Sequence, residues 1–128
     1  MTRIVAGSAK GRTLAVPKSG TRPTSERVRE ALFSRLDHMN VLEGAVVLDL
    51  YAGTGALGLE ALSRGAATAT LVEKASGAAR VATSNVRSTG LSARVVTADA
   101  RAYLAARSGQ VLSGEVDLVF IDPPYDIA

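Results

Sequence analysis

From residue 45 onward, short continuous apolar runs alternate with longer stretches in which apolar positions recur every three or four residues. The runs predict buried strands at 46–50, 69–73, 94–98 and 116–121, and the intervening periodicity predicts helices at 56–64, 76–88 and 100–107. Gly65, Gly90 and Gly109 follow these helices and are expected to act as left-handed stops. Strand and helix in strict alternation predict an α/β fold built on a parallel sheet. Two short extended segments precede it, 3–7 and 12–16, around Ser8-Ala9-Lys10-Gly11, which reads as a hairpin. Pro17 to Pro23 forms a loop, and Thr24 is placed to cap a helix. Val28, Ala31, Leu32, Leu36 and Met39 follow helical spacing there, so they are expected to face the core with the arginines outward. Two parts result: a hairpin and loop over 1–23, and an α/β domain over 24–128.

Composition narrows the class. A chain of 128 residues, 47% hydrophobic, can bury one core. No apolar stretch approaches the roughly 18 residues of a membrane span, and the N-terminus does not read as a signal peptide. The expectation is a cytoplasmic protein without a membrane partner, acting as a monomer. Zero cysteines and the single His38 exclude disulfides, cysteine nucleophiles and thiolate or histidine metal sites, so no metal is expected. Net charge is +3, unevenly placed: residues 1–40 hold eight Lys/Arg against three acids, and the other 88 hold seven against nine. A basic N-terminal segment beside a near-neutral core suggests an anionic partner docked near a cleft.

The chemistry is concentrated in loops after predicted strands, where open α/β sheets bind ligands. Gly53-x-Gly55-x-x-Gly58 follows the first core strand and opens a helix, a turn that brings backbone close to a ligand. Glu73 ends the second strand, twenty residues after Gly53, where a carboxylate can accept from both ribose hydroxyls. A nucleoside cofactor follows, either NAD or S-adenosylmethionine. Asp49 favours the methyl donor, since a carboxylate beneath the loop suits a cationic amino-acid moiety better than a pyrophosphate. Asp99 is positioned to accept from an adenine amino group, and it also suits a helix N-cap before Ala100. After the fourth strand stands Asp122-Pro123-Pro124-Tyr125.

Asp49-Leu-Tyr-Ala-Gly53-Thr-Gly55-Ala-Leu-Gly58, Leu71-Val72-Glu73-Lys74, Asp99-Ala100 and Asp122-Pro123-Pro124-Tyr125 together resemble the successive motifs of class I S-adenosylmethionine-dependent methyltransferases acting on exocyclic amines. The segments Arg3-Ile-Val-Ala-Gly7, Gly11-Arg12 and Arg22-Pro23-Thr24-x-x-x-Val28-Arg29-Glu30-Ala31-Leu32-Phe33 narrow the likeness to the RsmD family, bacterial methyltransferases that modify a guanine N2 in 16S rRNA of the small ribosomal subunit. The resemblance implies a Rossmann-like class I methyltransferase sheet carrying a basic N-terminal hairpin and helix. It also implies S-adenosylmethionine contacts at Asp49, Ala52, Gly53, Gly55, Glu73, Lys74, Asp99 and Ala100, and a catalytic tetrad of Asp122, Pro123, Pro124 and Tyr125. Arg3, Lys10, Arg12 and Arg22 are then expected to contact RNA phosphates.

Physical chemistry makes sense of the tetrad. An exocyclic amine conjugated to a ring is a poor nucleophile, so both N–H groups must be held and the lone pair aimed. Asp122 offers a carboxylate, Pro123 a carbonyl on a stiffened backbone, and Tyr125 a stacking face for an extruded base. The tetrad does not separate guanine N2 from adenine N6. Two other readings remain open: an NAD-dependent oxidoreductase, which leaves the tetrad unexplained, and a non-catalytic RNA-binding module. The chain ends three residues after the tetrad, leaving the fourth strand as a bare edge. The family continues through further strands, so a longer protein with a more complete acceptor pocket is expected.

Overall fold

In a computed structural model, the structure describes residues 2–16, 25–107, 109 and 114–123. Its elements in chain order are β1 (Thr2–Arg3), β2 (Thr13–Leu14), α1 (Glu26–His38), β3 (Val46–Asp49), α2 (Ala56–Ser63), β4 (Thr68–Glu73), α3 (Ser76–Thr89), β5 (Ala93–Thr97), α4 (Ala100–Ala106) and β6 (Leu118–Phe120). The main sheet is parallel with order β5-β4-β3-β6, and β1 pairs antiparallel with β2.

That order follows from the direction of the crossovers. The chain steps outward from β3 to β4 and β5, then returns past β3 to β6. Right-handed crossovers in opposite directions cover opposite faces of the sheet. One face accordingly packs Val47, Ala69, Leu71 and Phe120 against α2, α3, α1 and the hairpin residues Ile4 and Leu14. The other packs Leu48, Leu50, Val72 and Val119 against Ala100, Tyr103 and Leu104 of α4. The reversal between β4 and β6 leaves a crevice beyond the C-terminal end of β3.

Four expectations need correction. Helix α1 is rotated from its predicted face: Arg29 and Phe33 are buried, whereas Val28 is 56%, Leu32 37% and Met39 58% exposed. An arginine faces inward because α2 supplies a buried acid, Glu60, whose carboxylate lies 3.4 Å from the Arg29 guanidinium. The same guanidinium donates to the carbonyl of Arg3, and Phe33 one turn on packs its ring 5.5 Å from that of Phe120. The N-cap of α1 is Ser25, which accepts from the Val28 N–H at 3.2 Å; the expected cap, Thr24, lies outside the described residues. Helix α4 ends at Arg107 with φ −126°, so Gly109 is not its left-handed stop; Gly65 and Gly90, at φ +116° and +70°, do take that conformation beside α2 and α3. Val116 and Asp117 precede β6 rather than belonging to it, although the Asp117 carboxylate accepts from the Val46 N–H at 2.9 Å.

The hairpin is fastened to the sheet domain by side chains of α2 and α3. Glu60 accepts from the N–H groups of Val5 and Ala6 at 2.9 and 3.1 Å. The Ser63 hydroxyl accepts from Ala9 N–H and donates to the Ala6 carbonyl. Among the described residues no helix is long and apolar enough to cross a membrane.

Candidate functional site

The crevice is walled by the loops that follow β3, β4, β5 and β6. After β3 the chain turns through two left-handed glycines, Gly53 at φ +55° and Gly55 at φ +89°, conformations that cost other residues steric strain. The three glycines of the loop serve different ends. A side chain at Gly53 would meet open space, so this backbone faces the crevice. At Gly55 and Gly58 a Cβ would lie 3.0 and 2.3 Å from the Leu71 methyl groups, so these two let α2 settle onto β4.

Glu73 ties the loop to the second strand. Its carboxylate accepts from Gly53 N–H at 2.8 Å and from Ala75 N–H at 2.9 Å, one bond to each oxygen. Each carboxylate oxygen has a further lone pair, so acceptor capacity remains. Asp99 caps α4, accepting from Ala102 N–H at 3.0 Å, and its side chain is exposed at the rim. Ala52 and Ala100 are buried behind the loops, and Lys74 is exposed beside Glu73. Asp122 and Pro123 lie exposed just past β6, which pairs with β3 through Phe120 opposite Asp49. Pro124, Tyr125 and Arg22 lie outside the described residues.

Asp49 is the group least at ease. It is fully buried; Oδ2 accepts from Gly58 N–H at 3.1 Å, while Oδ1 has no hydrogen-bond partner. Burial pushes its carboxyl up to about 7; the Gly58 N–H opposes that rise, and the carboxylates of Asp122 and Glu73 add to it. Strand β4 and the loop after β6 thus bring two further acids close enough to raise the cost of ionising Asp49. The result is a crevice of negative potential beside a glycine loop whose Gly53, Gly55 and Gly58 N–H groups are held by Glu73, Ala52 and Asp49.

One supporting residue was not singled out from sequence. Asn85, 1% exposed, donates from Nδ2 to the carbonyl of Thr54 in the glycine loop at 2.9 Å and to that of Ala15 at 3.0 Å, while its Oδ1 accepts from Ala15 N–H at 2.8 Å. It pins the N-terminal segment and the glycine loop to one another. Its signal was present: an amide at helical spacing from the buried Ala79 and Ala82 marks a polar group that must find partners inside.

The strand order, the glycine turn at the switch point and the acids after β3 and β4 define a Rossmann-like α/β fold of the class I methyltransferase kind. Within that class, the family model described as "Conserved hypothetical protein 95" matches residues 2–128, and the chain belongs to this family, the RsmD family. The chain is 44% identical over 125 residues to Ribosomal RNA small subunit methyltransferase D of Escherichia coli, covering 96% of this chain and 60% of that protein. Its counterpart of the same name in Haemophilus influenzae is 38% identical over 127 residues, covering 96% and 63%. The solved structure of Escherichia coli yhhF superimposes with a TM-score of 0.79 at 41% identity, covering 97% of this chain and 64% of that one. The chain thus spans about three-fifths of the length of these relatives.

Proposed function

We propose that the chain carries the cofactor-binding and amine-holding parts of an S-adenosylmethionine-dependent methyltransferase that modifies the guanine N2 amine in 16S rRNA of the small ribosomal subunit. The observation that carries this reading is the convergence of Asp49, Glu73 and Asp122 on one crevice, with Asp49 Oδ1 buried and unpartnered. Such a site is relieved by a cationic ligand and opposed by an anionic one. S-adenosylmethionine carries a sulfonium and an ammonium, whereas the NAD pyrophosphate would add two negative charges.

The bound donor would supply an electrophilic methyl carbon on sulfur. Glu73 would hold the ribose hydroxyls while keeping the Gly53 loop in place, and Asp99 would accept from the adenine amine. Gly53 offers open backbone, Lys74 stands at the rim, Ala100 backs the site beside Asp99, and Ala52 and Gly55 fix the turn's shape. Asp122 and the carbonyl of Pro123 would accept from the two N–H groups of the target amine and so direct its lone pair outward. Proton loss follows transfer, so the site needs no strong base. Pro124 and Tyr125 would complete the acceptor wall, the tyrosine by stacking on the base. Arg3, Lys10, Arg12 and Arg22 would hold RNA phosphates.

Two measurements test the reading. Calorimetric titration is expected to find S-adenosylmethionine binding that Glu73→Ala weakens by about tenfold or more, with no comparable NAD binding; the reverse preference would overturn the donor assignment. Labelled methyl groups are expected to enter small-subunit particles lacking the modification when a form extended to the relatives' full length is supplied. Incorporation only into DNA or protein would refute the substrate.

A further inference from the structure

The basic character of the chain has a second centre. Residues 74–107 hold six Lys/Arg (Lys74, Arg80, Arg87, Arg94, Arg101 and Arg107) and one acid, Asp99. Helix α3 contains no acid at all. Arg80 and Arg87 are seven residues apart, so they share one helix face about 10.5 Å apart along the axis. That face borders a groove of about 460 Å³ between α3 and the edge strand β5, lined also by Ser76, Thr83, Ser84 and Thr97. Its upper end, at Ser76 and Thr97, opens beside the nucleoside loops, where Lys74 and Asp99 stand.

The lower end joins the hairpin. Arg12 reaches across to α3 and donates to the Ser88 carbonyl at 3.3 Å, one residue beyond Arg87. The opposite flank of the hairpin has different chemistry. Arg3 is paired with Glu26 at 3.3 Å, and the groove on that side mixes the acids Glu26 and Glu30 with the bases Arg3, Lys10 and Arg27. A polyanion leaving the hairpin therefore meets bases interleaved with acids on the α1 side, whereas the groove along α3 is lined by bases and hydroxyls without an acid.

We infer that the α3/β5 groove is an RNA-docking track, in which Arg87 and Arg80 carry the phosphate backbone from Arg12 of the hairpin up to the rim of the cofactor crevice. The span between the two arginines matches about three phosphates of one strand. The inference rests on the proposed rRNA substrate and adds where the RNA runs outside the acceptor site. Arg94 does not belong to the track: it alternates along β5 with Val95, which packs on the α3 side, and so points to the α4 face.

The test is RNA binding to a 16S rRNA transcript across a salt series, using the parent, Arg80→Gln/Arg87→Gln, Arg80→Lys/Arg87→Lys and Lys10→Gln/Arg12→Gln, with S-adenosylmethionine titrations as the check on folding. The glutamine pair on α3 is expected to flatten the slope of log K against log salt by about 1.5, roughly 0.7 to 0.9 for each phosphate released, while cofactor affinity stays at the parent value. The lysine pair is expected to keep the parent slope, since a point charge suffices for a phosphate. A parental slope and affinity in the α3 glutamine pair, with both reduced in the hairpin pair, would overturn the track and leave the rRNA reading standing. If the parent binds small-subunit particles and not the transcript, the same comparison is read on the particles; a parent chain that binds neither would remove the rRNA reading and the track with it.

Discussion

A carboxylate sealed inside the fold with one oxygen unpartnered is destabilising unless its charge is needed. Asp49 is such a group, and its carboxyl sits near 7 against an ordinary value of 3.8. Because the folded state then holds the proton more tightly than the unfolded chain, Asp49 favours folding least above pH 7 and its penalty vanishes as pH falls toward 4. Asp49→Asn is therefore expected to raise stability by about 1–3 kcal/mol at alkaline pH, and to weaken S-adenosylmethionine binding. Denaturant unfolding and calorimetry check the pair of effects; a variant less stable than the parent at alkaline pH would show that the charge is structural. A cation bound nearby lowers the Asp49 pKa, so binding near pH 7 is expected to release protons and to tighten as pH rises through that value. Titrations in two buffers of different ionisation enthalpy read the proton count, and proton uptake would contradict the proposal. The sequence made Asp49 visible as an acid under the loop. It could not show the shift, which arises first from burial of the carboxyl in the packed fold and then from the distant Asp122 and Glu73.

Among the elements, the core strands and their connecting helices were legible because each pairs a local period with a turn signal. Helix α1 was not, because its inner face is defined by a partner rather than by apolarity. Arg29 is buried only because Glu60, thirty-one residues later, is buried opposite it, while Arg64 binds the other Glu60 oxygen at 2.9 Å and Asp37 at 2.7 Å. The same Glu60 holds two hairpin amides, so one carboxylate joins the hairpin, α1 and α2. Glu60→Gln would leave Arg29 without its counter-charge at zero exposure, and a loss of about 3–5 kcal/mol is expected. Amide exchange offers a finer check: Val5 and Ala6 should lose protection more than Leu71 in the sheet, whereas uniform loss would mean that the hairpin is not separately held by this carboxylate. The glycine loop was half legible. Its spacing was evident, but Gly58 is required by the Leu71 side chain rather than by a ligand, and only the packed sheet shows that.

Across the whole molecule, charge is sorted by depth. Acids from β3, β4 and the loop after β6 meet inside the crevice, and arginines of the hairpin and α3 lie on the outer surface. A division of the sequence at residue 40 hides this, because the bases of α3 are offset in the count by acids that fold into the crevice. Salt should separate the two fields. Exposed charges are screened within about 8–10 Å, and RNA binding additionally depends on counterion release, whereas a buried acid acting on a small cation is screened little. Raising monovalent salt from about 50 to about 200 mM is therefore expected to weaken binding of a 16S rRNA transcript by about tenfold or more, and S-adenosylmethionine binding by less than about twofold. Parallel titrations of both ligands over that range make the comparison. Equal slopes would mean that the cofactor responds to the surface field rather than to the buried acids, and the crevice of Asp49, Glu73 and Asp122 would lose its part in choosing a cationic donor.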